Sequence, residues 1–178
     1  MRKRLLESAR AAVAASVRGE APFVPVITEE DRLDRRGVFV SLHIDDDLRG
    51  CIGYIESDRP LVETVVSCAV AAATADTRFP RLTLEELSRV AFEISLLSPP
   101  RAVAGSSEIV IGRDGVIVTA SGRKALLLPQ VATRQGWSVE EFLGAACRKV
   151  GLPSSAWRWP GARIEVFTAE VFAEATGA

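Results

Sequence analysis

A chain of 178 residues, 48% apolar and 25% charged, is long enough to build one hydrophobic core, or a core with a small satellite lobe, without a metal or disulfide staple. Its formal net charge of −1 comes with no basic block, which argues against nucleic acid as a partner. Three widely spaced cysteines with no CxxC pair, beside a single histidine, leave no standard closed zinc site or thioredoxin-like motif and point to a reducing, cytoplasmic setting.

The opening Met1-Arg2-Lys3-Arg4 could pass for the start of a signal segment, but Glu7 and Arg10 interrupt any apolar run. The spacing of Leu5, Ala9, Ala12, Val13 and Val17 predicts an amphipathic helix instead, stopped near Arg18 by Gly19. No run of 18 apolar residues exists, so no membrane span is expected. Pro22 and Pro25 hold the next stretch extended, and a charged connector, Glu29 to Arg36, leads to Gly37. Two strands follow, Val38 to Ile44 and Leu48 to Ile55, joined by Asp45-Asp46-Asp47 as a hairpin turn. Pro60 suits the start of a largely buried helix through about Ala75, with Asp58 as its cap. Asp76-Thr77-Arg78-Phe79-Pro80 either simply ends that helix with an ion pair and an aromatic anchor or lines a cleft shared with Glu93, and Thr83-Leu84-Glu85-Glu86-Leu87 reads as a capping box with one short helical turn.

Val90 to Ser98 alternates as a strand: Val90, Phe92, Ile94 and Leu96 share one face, while Ala91, Glu93, Ser95 and Leu97 share the other. Pro99 and Pro100 end it. Two further apolar runs, Val110 to Thr119 and Arg123 to Leu128, are separated by a turn at Ser121-Gly122. Helices are expected over Gln130 to Gln135 and Val139 to Val150, the second opened by Ser138 with Glu141 three residues on. Arg163 to Phe172 supplies a final strand. Helices and antiparallel hairpins without strict βαβ alternation define an α+β fold.

The chemistry concentrates in Leu48-Arg49-Gly50-Cys51-Ile52-Gly53, where a thiol sits between two glycines and beside a guanidinium. A neighbouring cation favours the thiolate, and glycines admit a close-approaching ligand or backbone. With a three-aspartate turn, Ile44 faces Leu48, His43 faces Arg49 and Ser41 faces Cys51. His43 and Cys51 then become diagonal neighbours, the minimal pair for thiol nucleophilic catalysis. The competing interpretation makes Cys51 a small buried hydrophobe and His43 a structural side chain. Arg49 is either a surface ion pair with the aspartates or a bidentate anion holder. Glu93 and Ser95 either face solvent or face a cleft, where Glu93 would act as a base or orient Arg49 or Arg78. Cys68 and Cys147, at helical spacing among apolar neighbours, read as core. Trp137, Phe142, Trp157 and Trp159 are either an exposed partner patch or the packing of the last helix. Only three of the 22 basic residues are lysine, a bias more economically ascribed to a GC-rich genome than to phosphate recognition.

Four segments in order, Leu48-Arg49-Gly50-Cys51-Ile52-Gly53, Asp76-Thr77-Arg78-Phe79, Glu93-Ile94-Ser95-Leu96-Leu97 and Leu126-Leu127-Leu128-Pro129-Gln130-Val131, resemble the AMMECR domain family. The resemblance runs from Gly37 to about Phe172 and implies one domain over residues 1–178. It implies an α+β fold: an antiparallel sheet flanked by helices, with a smaller second α/β lobe. It also implies a cytoplasmic location and, in prokaryotes, a Memo-like protein and a radical-SAM protein as neighbours, the AmmeMemoRadiSam arrangement. It brings no cofactor, no metal and no established reaction. Arg49, Gly50, Cys51 and Gly53 match the family's functional-site motif, whereas His43 stands where members differ.

Two readings follow. In the first, the protein is an accessory or binding component that takes an unknown small ligand or a partner through a Cys51 cleft, with Arg49, Gly50, Gly53, Arg78 and Ser95 as binding residues. In the second it is an enzyme, with Cys51 as nucleophile or acceptor, Arg49 holding an anion, and Glu93 or His43 moving protons.

Overall fold

The structure, a computed structural model, describes residues 1–45 and 47–174, so Asp46, the middle of the expected turn, lies outside the described residues. The chain forms two compact units, one from Met1–Leu97 together with the segment that begins at Glu170, the other from Ser98–Ala169. Each unit is a four-stranded antiparallel sheet with helices, the α+β architecture expected.

The first unit opens with helix α1, Arg2–Arg18, which Gly19 ends in a left-handed conformation (φ 69°). Within the charged connector, Thr28 and Asp31 form a capping box that starts helix α2, Glu29–Leu33. Asp31 is buried and held at 2.7 Å by the partly exposed Arg4, so a carboxylate that looks solvent-bound in the sequence is an interior group paired to the surface. Strands β1 (Arg36–Ile44) and β2 (Asp47–Glu56) form the hairpin, and helix α3 (Leu61–Thr74) and strand β3 (Ala91–Leu97) follow. Pro60, not Asp58, occupies the cap position of α3, while the Asp58 carbonyl accepts a hydrogen bond from Arg35. Between α3 and β3, Thr83 and Glu86 make the expected capping box over one short turn.

The sheet order is β2-β1-β3-β8, where β8 is the strand Ala169–Ala173, leaving β2 at an edge. One sheet face carries Val38, Val40, Leu42, Phe92, Ile94 and Leu96 into a core with Leu5, Val13, Leu61, Val65 and Cys68. Ser95 and Leu97, on the opposite face, are also buried, each 1% exposed, so solvent exposure of that face is corrected for them.

The second unit contains β4 (Arg101–Val103), β5 (Gly115–Ala120), β6 (Arg123–Leu127), α4 (Pro129–Gln135), α5 (Val139–Lys149) and β7 (Arg163–Phe167), with sheet order β4-β7-β5-β6. Ser121 and Gly122 both have positive φ (48° and 72°), the pairing a two-residue hairpin turn requires. Ser138 and Glu141 cap α5 as expected. Val116, Val118, Ala125, Ile164 and Val166 bury against Phe142, Leu143 and Cys147. Trp137 and Trp157 pack against the same core, while Trp159 remains 39% exposed.

The run from Arg163 to Phe172 is not one strand. It divides into β7 and β8 (Ala169–Ala173), which belong to different sheets. Thr168 makes the division: its carbonyl accepts from the Ser98 N–H and its own N–H donates to Ser98 Oγ, both at 2.9 Å, so its backbone is diverted from the ladder.

Candidate functional site

The β1–β2 register places Ser41 opposite Cys51 and Leu42 opposite Gly50, then slips, so that His43 faces Leu48 and Ile44 faces Asp47. Arg49 is the extra residue of a β-bulge, which corrects the expected His43–Arg49 pairing. A shorter turn removes one residue from the loop, and the bulge restores the register beyond it. The alternation that carries Val40 and Leu42 into the core therefore still puts Ser41 and His43 on the Cys51 face.

Both motif glycines are occupied by the protein's own atoms. A Cβ at Gly50 would lie 2.2 Å from the carbonyl oxygen of Ala72, so the glycine lets the last turn of α3 cross the strand at backbone contact. A Cβ at Gly53 would lie 2.3 Å from the ring of Phe39, its direct cross-strand partner. The ring folds over the place where a side chain would stand.

Cys51 pairs with Ser41 at a position where its own N–H and carbonyl point outward along the open sheet edge. Two side chains from the loop after α3 take them. The Cys51 N–H donates to Asp76 Oδ2 at 2.9 Å, and Arg78 Nη2 donates to the Cys51 carbonyl at 3.0 Å. Arg78 also forks onto Asp76, with Nε to Oδ1 at 2.9 Å and Nη2 to Oδ2 at 2.6 Å. A carboxylate and a guanidinium thus replace the next strand, and the edge is closed to other chains at this residue. The Arg78 guanidinium holds the Asp76 carboxyl down at about 2, although burial opposes it, and the Cys51 N–H adds to the effect. Arg78 is raised in turn, chiefly by its hydrogen bond to Asp76 and further by the nearby Cys51 sulfur.

Arg49 is equally committed. Its Nε and Nη2 reach the two oxygens of Glu86 at 2.7 and 2.9 Å, and its Nη1 and Nη2 donate to the carbonyls of Pro80 and Arg81. Glu86 is lowered to about 2 by that guanidinium, with the Thr83 N–H assisting. Arg49 pairs neither with the aspartate turn nor with an open anion site. Asp45 of that turn binds Arg89 instead.

Around the thiol the geometry is polar. Cys51 is half-buried and its Sγ lies 3.3 Å from Ser41 Oγ, the donor of that contact. Ser41 in turn faces Glu93 across β1–β3, so Cys51, Ser41 and Glu93 form one row over three strands. Ser95 faces Phe39 in the neighbouring row. His43 Nε2, two residues from Ser41, is buried with no hydrogen-bond partner among the described residues. Cys68 and Cys147 are fully buried, and burial pushes the Cys68 thiol up to about 12. Among the described residues no group of three or more His, Cys, Asp or Glu side chains converges to hold a metal ion. No described helix is long and apolar enough to cross a membrane.

The structure brings Cys51, Glu93, Ser95 and His43 to one sheet face, and turns Arg49, Gly50, Gly53 and Arg78 toward partners within the chain. Sequence reasoning left Ser41, Asp76 and Glu86 out of the candidate set. Asp76 had a signal, since it stands two residues before Arg78 in a motif already singled out. Ser41 is visible once the hairpin register is fixed. Glu86 carried no signal toward Arg49.

The fold and site define a class of two-unit α+β protein with a cysteine-bearing edge strand clamped by a return loop. The chain belongs to the AMMECR1 domain family, whose model matches residues 6–172. It is 41% identical over 177 residues to a protein of Methanothermobacter thermautotrophicus, covering 96% of this chain and 92% of that one. It is 43% identical over 149 residues to a Methanocaldococcus jannaschii protein, covering 79% and 74%. The crystal structure of an uncharacterized protein from Pyrococcus horikoshii superposes with a TM-score of 0.89 at 37% identity, over 97% of this chain and 90% of that one.

Proposed function

We propose that the protein is a binding component that engages a small polar ligand or a partner through the Cys51 face, working with Memo-like and radical-SAM proteins. The row Cys51–Ser41–Glu93 carries this reading. A half-buried thiol, a buried hydroxyl and a carboxylate line up on the sheet face opposite the one that carries Val40, Leu42 and Ile94 into the core. The surrounding charges, Arg49 with Glu86 and Arg78 with Asp76, neutralise each other and hold the strand rigid. Such a site offers fixed hydrogen-bond donors and acceptors rather than an anion clamp. The partners rest on the family resemblance.

The test is co-elution of the purified protein with a purified Memo-like protein and, separately, with a radical-SAM protein. Cys51→Ser and Glu93→Gln are run in parallel. Co-elution of the wild type, weakened in both variants, is the expected result. Independent migration of the wild type with both candidates removes the partner assignment.

The orphaned His43 Nε2 favours a second reading, in which Cys51 is a nucleophile and His43 or Glu93 takes its proton. Iodoacetamide labelling of the native protein against pH separates the two readings. A midpoint at Cys51 well below the ~8.5 of a free thiol supports catalysis, and labelling only after unfolding rejects it.

A further inference from the structure

The second unit contains a cavity of about 780 Å3 at the end of its sheet where β7 begins. Its polar wall is built by register. Thr119 faces Lys124 on β6 and Arg163 on β7, so the three side chains form one row over three strands, cation–hydroxyl–cation. The row projects from the sheet face opposite the one that carries Val116, Val118, Ile164 and Val166 into the core. Two strand spacings put the Lys124 and Arg163 backbones roughly 9–10 Å apart. Both side chains are long enough to converge above Thr119 on one bound group. Neither cation has an ion-pair partner among the described residues. This contrasts with Arg158, also at the cavity, which is bound to Glu140 at 2.7 Å.

Aromatic surface completes the wall. Trp157 and Trp159 both line the cavity. Trp157 has the Arg158 guanidinium 4.2 Å from its ring centroid, while Trp159 is 39% exposed and offers an indole with nothing stacked on it in the described contacts. Glu165, two residues beyond Arg163 on β7, is the one carboxylate in the lining and faces Ala102 and Ile117.

We propose that this cavity binds a small anion that joins a planar ring to a phosphate, of nucleoside monophosphate size. Lys124 and Arg163 hold the phosphate, with the Thr119 hydroxyl donating between them. The ring stacks on Trp159, a contact every nucleobase can make. Glu165 repels the phosphate from its end of the cavity and accepts hydrogen bonds from ring or sugar hydroxyl and amino groups, which sets the direction of binding. The volume falls within the range of small-ligand cavities. The site lies in a different unit from Cys51 and does not depend on the proposal made for that residue.

The test is titration of the full chain with adenosine 5′-monophosphate, followed by tryptophan fluorescence and by calorimetry, with adenosine and inorganic phosphate as separate arms. Saturable quenching by the nucleotide is expected, with adenosine and phosphate each weaker by at least about tenfold. Lys124→Ala and Arg163→Ala are each expected to weaken binding by about tenfold, because each removes a charge-assisted hydrogen bond. Both residues are exposed, so the variants retain the wild-type fold, checked by melting curves. Trp159→Ala is expected to lose most of the quenching together with affinity. The proposal is overturned if none of the four ribonucleoside monophosphates binds by calorimetry up to about 5 mM. It is equally overturned if phosphate binds as tightly as the nucleotide, or if the double variant of Lys124 and Arg163 binds as the wild type does.

Discussion

Each unit of this molecule lines up polar side chains across three strands of an antiparallel sheet, and the two rows treat charge in opposite ways. Beside Cys51 the two arginines of the motifs are answered: Arg49 by Glu86 and two carbonyls, Arg78 by Asp76 and the Cys51 carbonyl. Beside Thr119 the cations Lys124 and Arg163 have no such answer among the described residues. Satisfied charges hold backbone in place, whereas unsatisfied charges at a cavity wait for a ligand's. The Cys51 motif is therefore first a device for shaping an edge strand, and the candidates for recognition are the side chains of the sheet face it holds in place.

The contrast breaks most visibly at Gly50. Because a Cβ there meets the Ala72 carbonyl at 2.2 Å, Gly50→Ala forces α3 away from β2. It should cost about 3 kcal/mol, read from urea unfolding, with the Cys51 face lost as the helix moves. If the variant were as stable as the wild type, the backbone contact would not be the reason for that glycine.

Asp76 gives the next largest effect. Its folded value of about 2 lies below its ordinary 3.8, so the carboxylate contributes stability that is complete above about pH 5 and is lost as pH falls from 3.8 toward 2. The shift corresponds to about 2 kcal/mol. Asp76→Asn should therefore be less stable by about that amount at pH 7, and the difference should close toward pH 2. Taking the difference between the two proteins cancels the parallel titration of Glu86 and Asp31. A gap that stays constant with pH would show that the lost stability is packing rather than charge.

Local and distant contacts differ in how far the sequence reveals them. The periodicity of α1, the capping boxes at Thr83 and Ser138 and the alternation of β3 were legible because each depends on neighbours a few residues apart. The bulge at Arg49 was not. It depends on how the aspartate turn and the strand register accommodate each other, which no local pattern records. Likewise the motif glycines read as room for a ligand, because nothing in the chain says that Ala72 and Phe39 take that room. The Lys124–Thr119–Arg163 row was hidden for the same reason: Arg163 reaches the row only through the pairing of β5 with β7, across some forty residues of chain. The division of β7 from β8 rests on Ser98, 70 residues away from Thr168 in sequence.

Arg49 is held by geometry as well as by charge. Arg49→Lys keeps the charge but cannot span both oxygens of Glu86 and two carbonyls, since an ammonium lacks the planar fork. A loss of about 1 kcal/mol is expected, with Glu86 rising from about 2 toward its ordinary 4.5 as measured by NMR titration. Had Arg49 been waiting for an anionic ligand, the lysine variant would leave the stability and Glu86 unchanged.

The smallest stability effect belongs to Lys124, and its smallness is the point. With no ion-pair partner among the described residues and an exposed side chain, Lys124→Ala should change the unfolding free energy by less than about 0.5 kcal/mol. A residue that contributes nothing to the fold, yet stands in register with Thr119 and Arg163 at the wall of a cavity, is placed by something other than folding. A large loss of stability in this variant would mean that the lysine supports the sheet as Arg49 supports β2. The two rows would then differ only in which of their partners are visible.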